Sequence, residues 1–237
     1  MYGKLIKYQP SVPVHNRLLF YQPKTFSVGV NMSEESFHST VERAIDNLKT
    51  INTISPEELP AMELYMDQLT TLMDRKLSGL VRKPSKDKVL TKTMINNYAK
   101  NHLIHPPLKK KYSREHMLEL LFIFYFKSFL SIGDIQTLLS PLSNETLGDD
   151  YSVEKLYAEM ISAGKGARGK LKKDLDEKME KIERGFIEAP DDMRDYLRKF
   201  AFICQLGYDI YLKKTIIEHM IDDMAEEQFL NEDPDGK

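Results

Sequence analysis

Apolar residues recur at helical spacing along most of the chain after residue 32. Phe37, Val41, Ala44, Ile45 and Leu48 fall on one face at about 100° per residue, and Ser33-Glu34-Glu35 opens them as a capped helix. That helix ends before Ile54-Ser55-Pro56, and its single apolar face predicts packing on the module that follows. In Leu64 to Met73, Tyr65, Leu69, Leu72 and Met73 share one side of a second helix. Thr91 is suited to cap a third, with Met94, Ile95, Tyr98 and Ala99 on one face and Lys92, Thr93, Asn96, Asn97 and Lys100 on the other. Pro106-Pro107 cannot continue a helix, and Leu108-Lys109-Lys110-Lys111-Tyr112 is short and basic, as a small β-wing would be. Ser113 caps a helix whose run from Met117 to Leu130 is apolar nearly all round, which predicts burial. Ser131-Ile132-Gly133-Asp134 has the form of a capping box for a short helix ending near Leu139.

Beyond Pro141, Ser143 to Asp150 is a polar connection, and Val153 to Ser162 has helical spacing. Lys170 to Phe186 carries a narrow stripe of Leu171, Leu175, Met179, Ile182 and Phe186 flanked by charge pairs, a pattern suited to helix-on-helix pairing. Dimerisation and packing within one subunit both account for it. Asp191 or Asp192 can cap a last helix, apolar on most faces from Tyr196 to Tyr211, which places it at the centre of a C-terminal helical unit. Asp222 to Gly236 reads as a frayed acidic tail. Met1 to Asn31 has prolines and aromatics without a period and is predicted to be irregular; the change at Met32 points to translation starting there.

Charge sharpens this pattern. The chain of 237 residues has a formal net charge of only -2, yet Arg82 to Glu115 holds ten Lys and Arg against Asp87 and Glu115, a local +8 that leaves about -10 elsewhere. Such asymmetry points to one surface for a polyanion. Ser78 to Val89, with Lys83, Lys86 and Lys88, is an insertion that either adds phosphate contacts or is a solvated loop. Cys204 is the only cysteine, which excludes an intramolecular disulfide and fits a cytoplasmic protein; its apolar neighbours predict a buried core residue. No apolar run reaches the roughly 18 residues of a membrane helix, and no signal-peptide core is present near Met1.

Asn pairs bidentately with the adenine edge, and lysines answer phosphates. The candidate DNA-binding set is therefore Thr91, Lys92, Thr93, Asn96, Asn97 and Lys100 on the helix, with Lys109, Lys110, Lys111, Tyr112 and Arg114 on or beside the wing. Gly164 to Lys170 matches two nucleotide-binding patterns, but helix precedes it and Leu171 stands where a P-loop needs Ser or Thr, so a basic inter-helix loop is the expectation. His102, His105 and His116 lack a metal-ligand spacing, with Glu115 the nearest carboxylate, and are expected near phosphates at the wing root. No catalytic arrangement, metal site or cofactor motif is evident, so an enzyme is not expected.

The order of helix, Pro-containing basic wing, Tyr, long apolar helix and short capped helix resembles the mercury-resistance-regulator (MerR) type of winged helix-turn-helix. Met94 to Ile104 stands for that family's recognition segment and Lys111-Tyr112-Ser113 for its wing exit, with Asn96, Asn97, His102 and Ser113 in place of the family's Arg, Tyr, Gly and wing Arg. Leu64 to Gln68 and Leu90 to Tyr98 also resemble the signature blocks of an uncharacterised bacterial family, domain of unknown function eighteen-thirty-six. The resemblance implies a mainly α fold: an N-terminal helix in residues 32–58, a winged helix-turn-helix in 59–141, a C-terminal helical dimerisation or regulatory bundle in 151–229, and a tail in 230–237. It further implies a transcriptional regulator that binds double-stranded DNA as a homodimer, dimerising through the Leu171 to Phe186 seam together with the helix that follows. A protein-interaction adaptor that keeps the winged-helix shape is the alternative.

Overall fold

A computed structural model describes residues 36–48, 53–81, 89–143 and 152–232. The expectations for residues 1–31, Met32, Ser33-Glu34-Glu35, Lys83, Lys86, Lys88, residues 144–150 and the tail past Glu232 lie outside them. Among the described residues the protein is mainly α, with eight α-helices and one two-stranded sheet. No helix among them is long and apolar enough to cross a membrane.

Helix α1 (Phe37–Asn47) is capped by Ser36, whose hydroxyl accepts the Ser39 N–H at 3.2 Å. Phe37, Val41 and Ile45 face inward, as their spacing predicts, but against α7 (Ala167–Glu183) and α8 (Asp191–Glu232) rather than on the module that follows. An apolar face dictates burial and leaves the partner open.

The larger core gathers α2 (Met66–Leu77), α3 (Lys92–Lys100), α4 (Arg114–Phe126), α5 (Ile132–Ser143) and α6 (Val153–Ala163). Strand β1 (Leu64–Tyr65) pairs antiparallel with β2 (Lys111–Tyr112), Leu64 opposite Tyr112 and Tyr65 opposite Lys111. Strand alternation sends Leu64 and Tyr112 into the core and Tyr65 outward, so Tyr65 does not join the packing face of α2. Met117 to Ile123 of α4 is buried without interruption. The α5 capping box forms as the sequence predicts, Ser131 and Asp134 exchanging bonds of 2.9 and 3.1 Å, but the helix continues through Pro141 instead of ending at Leu139. Buried Tyr157 of α6 donates its hydroxyl to the Ile54 carbonyl at 3.0 Å.

A smaller core joins Phe37, Val41 and Ile45 of α1 to Leu175 and Met179 of α7 and Phe202 of α8, with Ile182 packed against it. The seam on α7 is therefore covered within the chain, and Leu175 and Met179 are unavailable to a second subunit; Leu171 and Phe186 stay exposed. Helix α7 begins at Ala167, directly after Gly166 at φ +81°, so only residues 164–166 form the predicted loop. It ends at Glu183, leaving Phe186 beyond it at φ +61°.

Helix α8 has 42 residues, a length of about 63 Å. The Pro190 carbonyl accepts the Arg194 N–H at 2.9 Å, which puts Asp191 and Asp192 inside the first turn, where their charge suits the helix dipole. The predicted frayed tail is helical to Glu232, with the Gln228 amide donating to the Thr137 carbonyl of α5 at 3.1 Å. Its N-terminal half is not central: the face bearing Cys204 is exposed, which overturns the expectation of a buried thiol.

Candidate nucleic-acid interface

Thr91 accepts the Met94 N–H at 3.2 Å, so its hydroxyl serves as the cap of α3. Ile95 and Tyr98 are buried and Met94 and Ala99 partly so, which turns Lys92, Thr93, Asn96, Asn97 and Lys100 to solvent together. Lys92 forms an ion pair with Asp67 in the first turn of α2. The helix ends in a Schellman pattern: the His102 N–H reaches the Ala99 carbonyl at 3.3 Å and the Leu103 N–H reaches that of Tyr98 at 2.9 Å. His102 takes φ +56°, at the position where glycine is the usual occupant. Buried Leu103 and Ile104 then pin the chain that leads to the basic segment.

That segment is a tight hairpin. The Lys111 N–H donates to the Leu108 carbonyl at 2.9 Å across a two-residue turn, and Lys109 and Lys110 have φ of 50° and 63°. Two successive left-handed residues mark a type I′ turn, which normally calls on Asn and Gly; each non-glycine here costs about 1 kcal/mol or more. Both lysine side chains are exposed. Lys111 is half-buried, with Nζ 3.8 Å from the Glu63 carboxylate and 5.7 Å from the Tyr65 ring centre.

Two residues in the sequence-derived set do not reach this surface. Tyr112 is only 3% exposed and its ring packs edge-on against His116 at 5.4 Å, so strand alternation makes it part of the core. Burial holds its hydroxyl pKa up. Arg114 donates to the Glu154 carboxylate at 3.0 Å and the Leu59 carbonyl at 3.1 Å, tying α4 to α6 and to the chain before β1.

Two of the three histidines turn inward, away from this surface, and only His102 is exposed beside it. His105 gives its main-chain N–H to Glu119 at 3.2 Å and pairs with the same carboxylate through its ring Nδ1. Glu119, not Glu115, is thus its partner, and it is 2% exposed inside α4. Burial lifts the Glu119 pKa above the ordinary carboxylate range, against the pull of His105. His116 is buried as well, its Nδ1 accepting the Ser113 N–H at 2.9 Å, and burial followed by the charge of His105 pushes its pKa down. Together these groups anchor the strap between α3 and the hairpin onto α4.

The two exposed basic pieces connect through contacts as well as through this strap. Lys92 of α3 meets Asp67, two residues past the outward Tyr65 of β1, and Tyr65 adjoins Lys111 of the hairpin. Glu63 and Asp67 place carboxylates along the same path. Sequence reasoning missed Tyr65 because two residues are too short for an alternating pattern, and missed Glu119 although a lone carboxylate in an apolar run is itself a signal.

No curated protein and no solved structure matches the chain. One family model does. Its bounds nearly coincide with the larger core, which the Tyr157 to Ile54 hydrogen bond closes end to end. Residues 54–160 match the model of the family described as Domain of unknown function (DUF1836).

Proposed function

We propose that residues 59–141 are a MerR-like winged helix-turn-helix, with α3 as the recognition helix and the Leu108 to Tyr112 hairpin as the wing, and that the protein is a sequence-specific DNA-binding transcriptional regulator. The observation that carries this reading is the joint exposure of Thr93, Asn96, Asn97 and Lys100 on one helix face and of Lys109 and Lys110 on a tight turn, joined to that helix by a strap anchored on α4. Asn96 and Asn97 read base edges in a major groove, while Lys100, Lys109 and Lys110 answer phosphates. Catalysis, a metal and a cofactor have no part in this reading. Selection of fragments from host genomic DNA at physiological salt tests it. Lys110→Ala weakens all fragments alike and Asn96→Ala relaxes base preference. If neither changes retention, the reading is wrong.

The regulator acts as a homodimer, and with the α7 seam covered the pairing surface moves to α8. Met193, Tyr196, Phe200, Ile203, Tyr208, Ile210 and Tyr211 are exposed on one side of it. At roughly 100 Å² each they supply roughly 700 Å², near the ~800 Å² per partner of a standard interface. Gly207 lies among them with nothing among the described residues within 4 Å of an added Cβ, a bare spot where a second helix can approach. Ile203→Glu yields a monomer in light scattering; a parent chain that is already monomeric at micromolar concentration removes the dimer.

An adaptor binding a protein instead is favoured by Glu63 and Asp67, whose carboxylates stand beside Lys111 and Lys92. It predicts no steep loss of DNA retention with salt, because there is none to lose.

A further inference from the structure

Three side chains form a row on the outer face of the small sheet. Tyr65 of β1 lies opposite Lys111 of β2, and Lys111 is bridged in turn to Leu108 across the turn. Tyr65 is 55% exposed and Leu108 69%. Single exposed apolar residues are common and mean little by themselves. Leu108, however, directly precedes the two left-handed lysines and Tyr65 lies opposite Lys111, which directly follows them, and strain of that kind persists where the side chains themselves are needed. The turn fixes Leu108 beside Lys111 and holds Lys109 and Lys110 at the tip. Lys111 is already answered by Glu63, whereas Lys109 and Lys110 make no ion pair among the described residues.

The edge of a DNA duplex alternates anionic phosphate with apolar deoxyribose. A surface that alternates aliphatic, cationic and aromatic groups matches it in kind. We propose that Tyr65 and Leu108 are DNA contacts, packing against deoxyribose while Lys109 and Lys110 take the adjoining phosphates, and that the Lys-Lys turn keeps its unfavourable conformation to make this grip. The inference rests on the DNA-binding reading above and adds residues that reading does not use.

The test uses the full chain and the genomic fragments it retains, titrated at several salt concentrations, with thermal melting of each variant. Tyr65→Ser with Leu108→Ser melts close to the parent, lowers affinity about fivefold or more and leaves the salt slope unchanged, since apolar contacts release no counterions. Lys109→Asn with Lys110→Gly supplies the residues this turn prefers: it melts above the parent, binds about tenfold more weakly and loses roughly 1.8 from the slope. A parent that binds in a salt-dependent way, together with a Tyr65/Leu108 variant within twofold of it, overturns the grip and spares the regulator. An Asn-Gly variant that binds as the parent does, or melts below it, overturns the role assigned to the turn. A parent with no salt-dependent binding removes the regulator and the grip together.

Discussion

Glu119→Gln probes the anchor of the strap that leads to the Leu108 to Tyr112 hairpin, with almost no change of shape. In the native protein both donors of His105 that face α4, the main-chain N–H and the ring, end on the two Glu119 oxygens. A glutamine has one oxygen and one NH2 in their place. The oxygen keeps the main-chain N–H, and the NH2 donates to the ring Nδ1 once His105 adopts the other neutral tautomer. What is lost is the charge on the two bonds, about 0.5–1 kcal/mol each. The expected loss is about 1–2 kcal/mol, or about 2–8 °C in Tm for a chain of this size. Urea unfolding followed by far-UV circular dichroism at pH 7.5 measures it, and a cycle with His105→Ala isolates the ring contact as a coupling of about 0.5–1 kcal/mol. The main-chain bond survives in His105→Ala, so the two single losses are unequal and their sum exceeds the double. A Glu119→Gln variant within about 0.5 kcal/mol of the parent, or strictly additive effects, would falsify the anchor.

The same cluster sets a pH dependence with two opposing slopes. His116 is held below the ordinary histidine value of 6.5, so its contribution is complete above pH 6.5 and is lost as pH falls toward its folded-state value. Glu119 is held above the ordinary 4.5, so between that raised value and pH 4.5 acidification favours the folded state through this group. His116→Gln keeps a residue able to reach back to the Ser113 N–H and removes the first slope; from pH 7.5 down to 5 the variant then loses less unfolding free energy than the parent, or gains some, and an unchanged curve shows that His116 does not titrate there. In the smaller core, Leu175→Ala costs about 2–4 kcal/mol and releases α1, read as lost hydrogen-exchange protection confined to Phe37 to Asn47. Protection retained in α1 would mean that its packing on α7 does not hold it.

Much of α3 could be read in advance, because an exposed amphipathic helix with its own cap is specified locally: Thr91, the buried pair Ile95 and Tyr98 and the polar face all follow from period and capping chemistry. Burial of α4 followed for a similar reason as far as Ile123, since an all-round apolar run has no face to give to solvent, but the helix stops at Phe126, short of the predicted Leu130, and its last turn is half-buried. The partners of elements were not local. The stripes on α1 and on α7 each stated that they would be covered, and they cover one another; from the sequence alone the α7 stripe fitted a second subunit nearly as well. Helix α8 misled in the opposite direction, its broad apolar surface predicting a central position that only its inner side, with Phe202, occupies in that half. The turn at Lys109 and Lys110 was illegible on principle, because lysine is not a residue that asks for a left-handed backbone.

The two cores are not independent, and α8 is the reason. Phe202 belongs to the smaller core, with its ring edge-on to Phe37 at 5.6 Å, whereas Ile221 belongs to the larger one and Gln228 is bonded to α5. One uninterrupted helix therefore spans both, with Gly207 between the two attachments. Glycine inside a helix is about 1 kcal/mol worse than alanine, and an added Cβ here meets nothing among the described residues, so their packing gives no reason for it. Close approach of a second helix does. In the proposed dimer the partner thus bears on α8 between the α1/α7 cluster and the larger core. Gly207→Ala separates the cases: it stabilises an isolated chain through helix propensity, and it weakens association only if another backbone has to come within reach of that position.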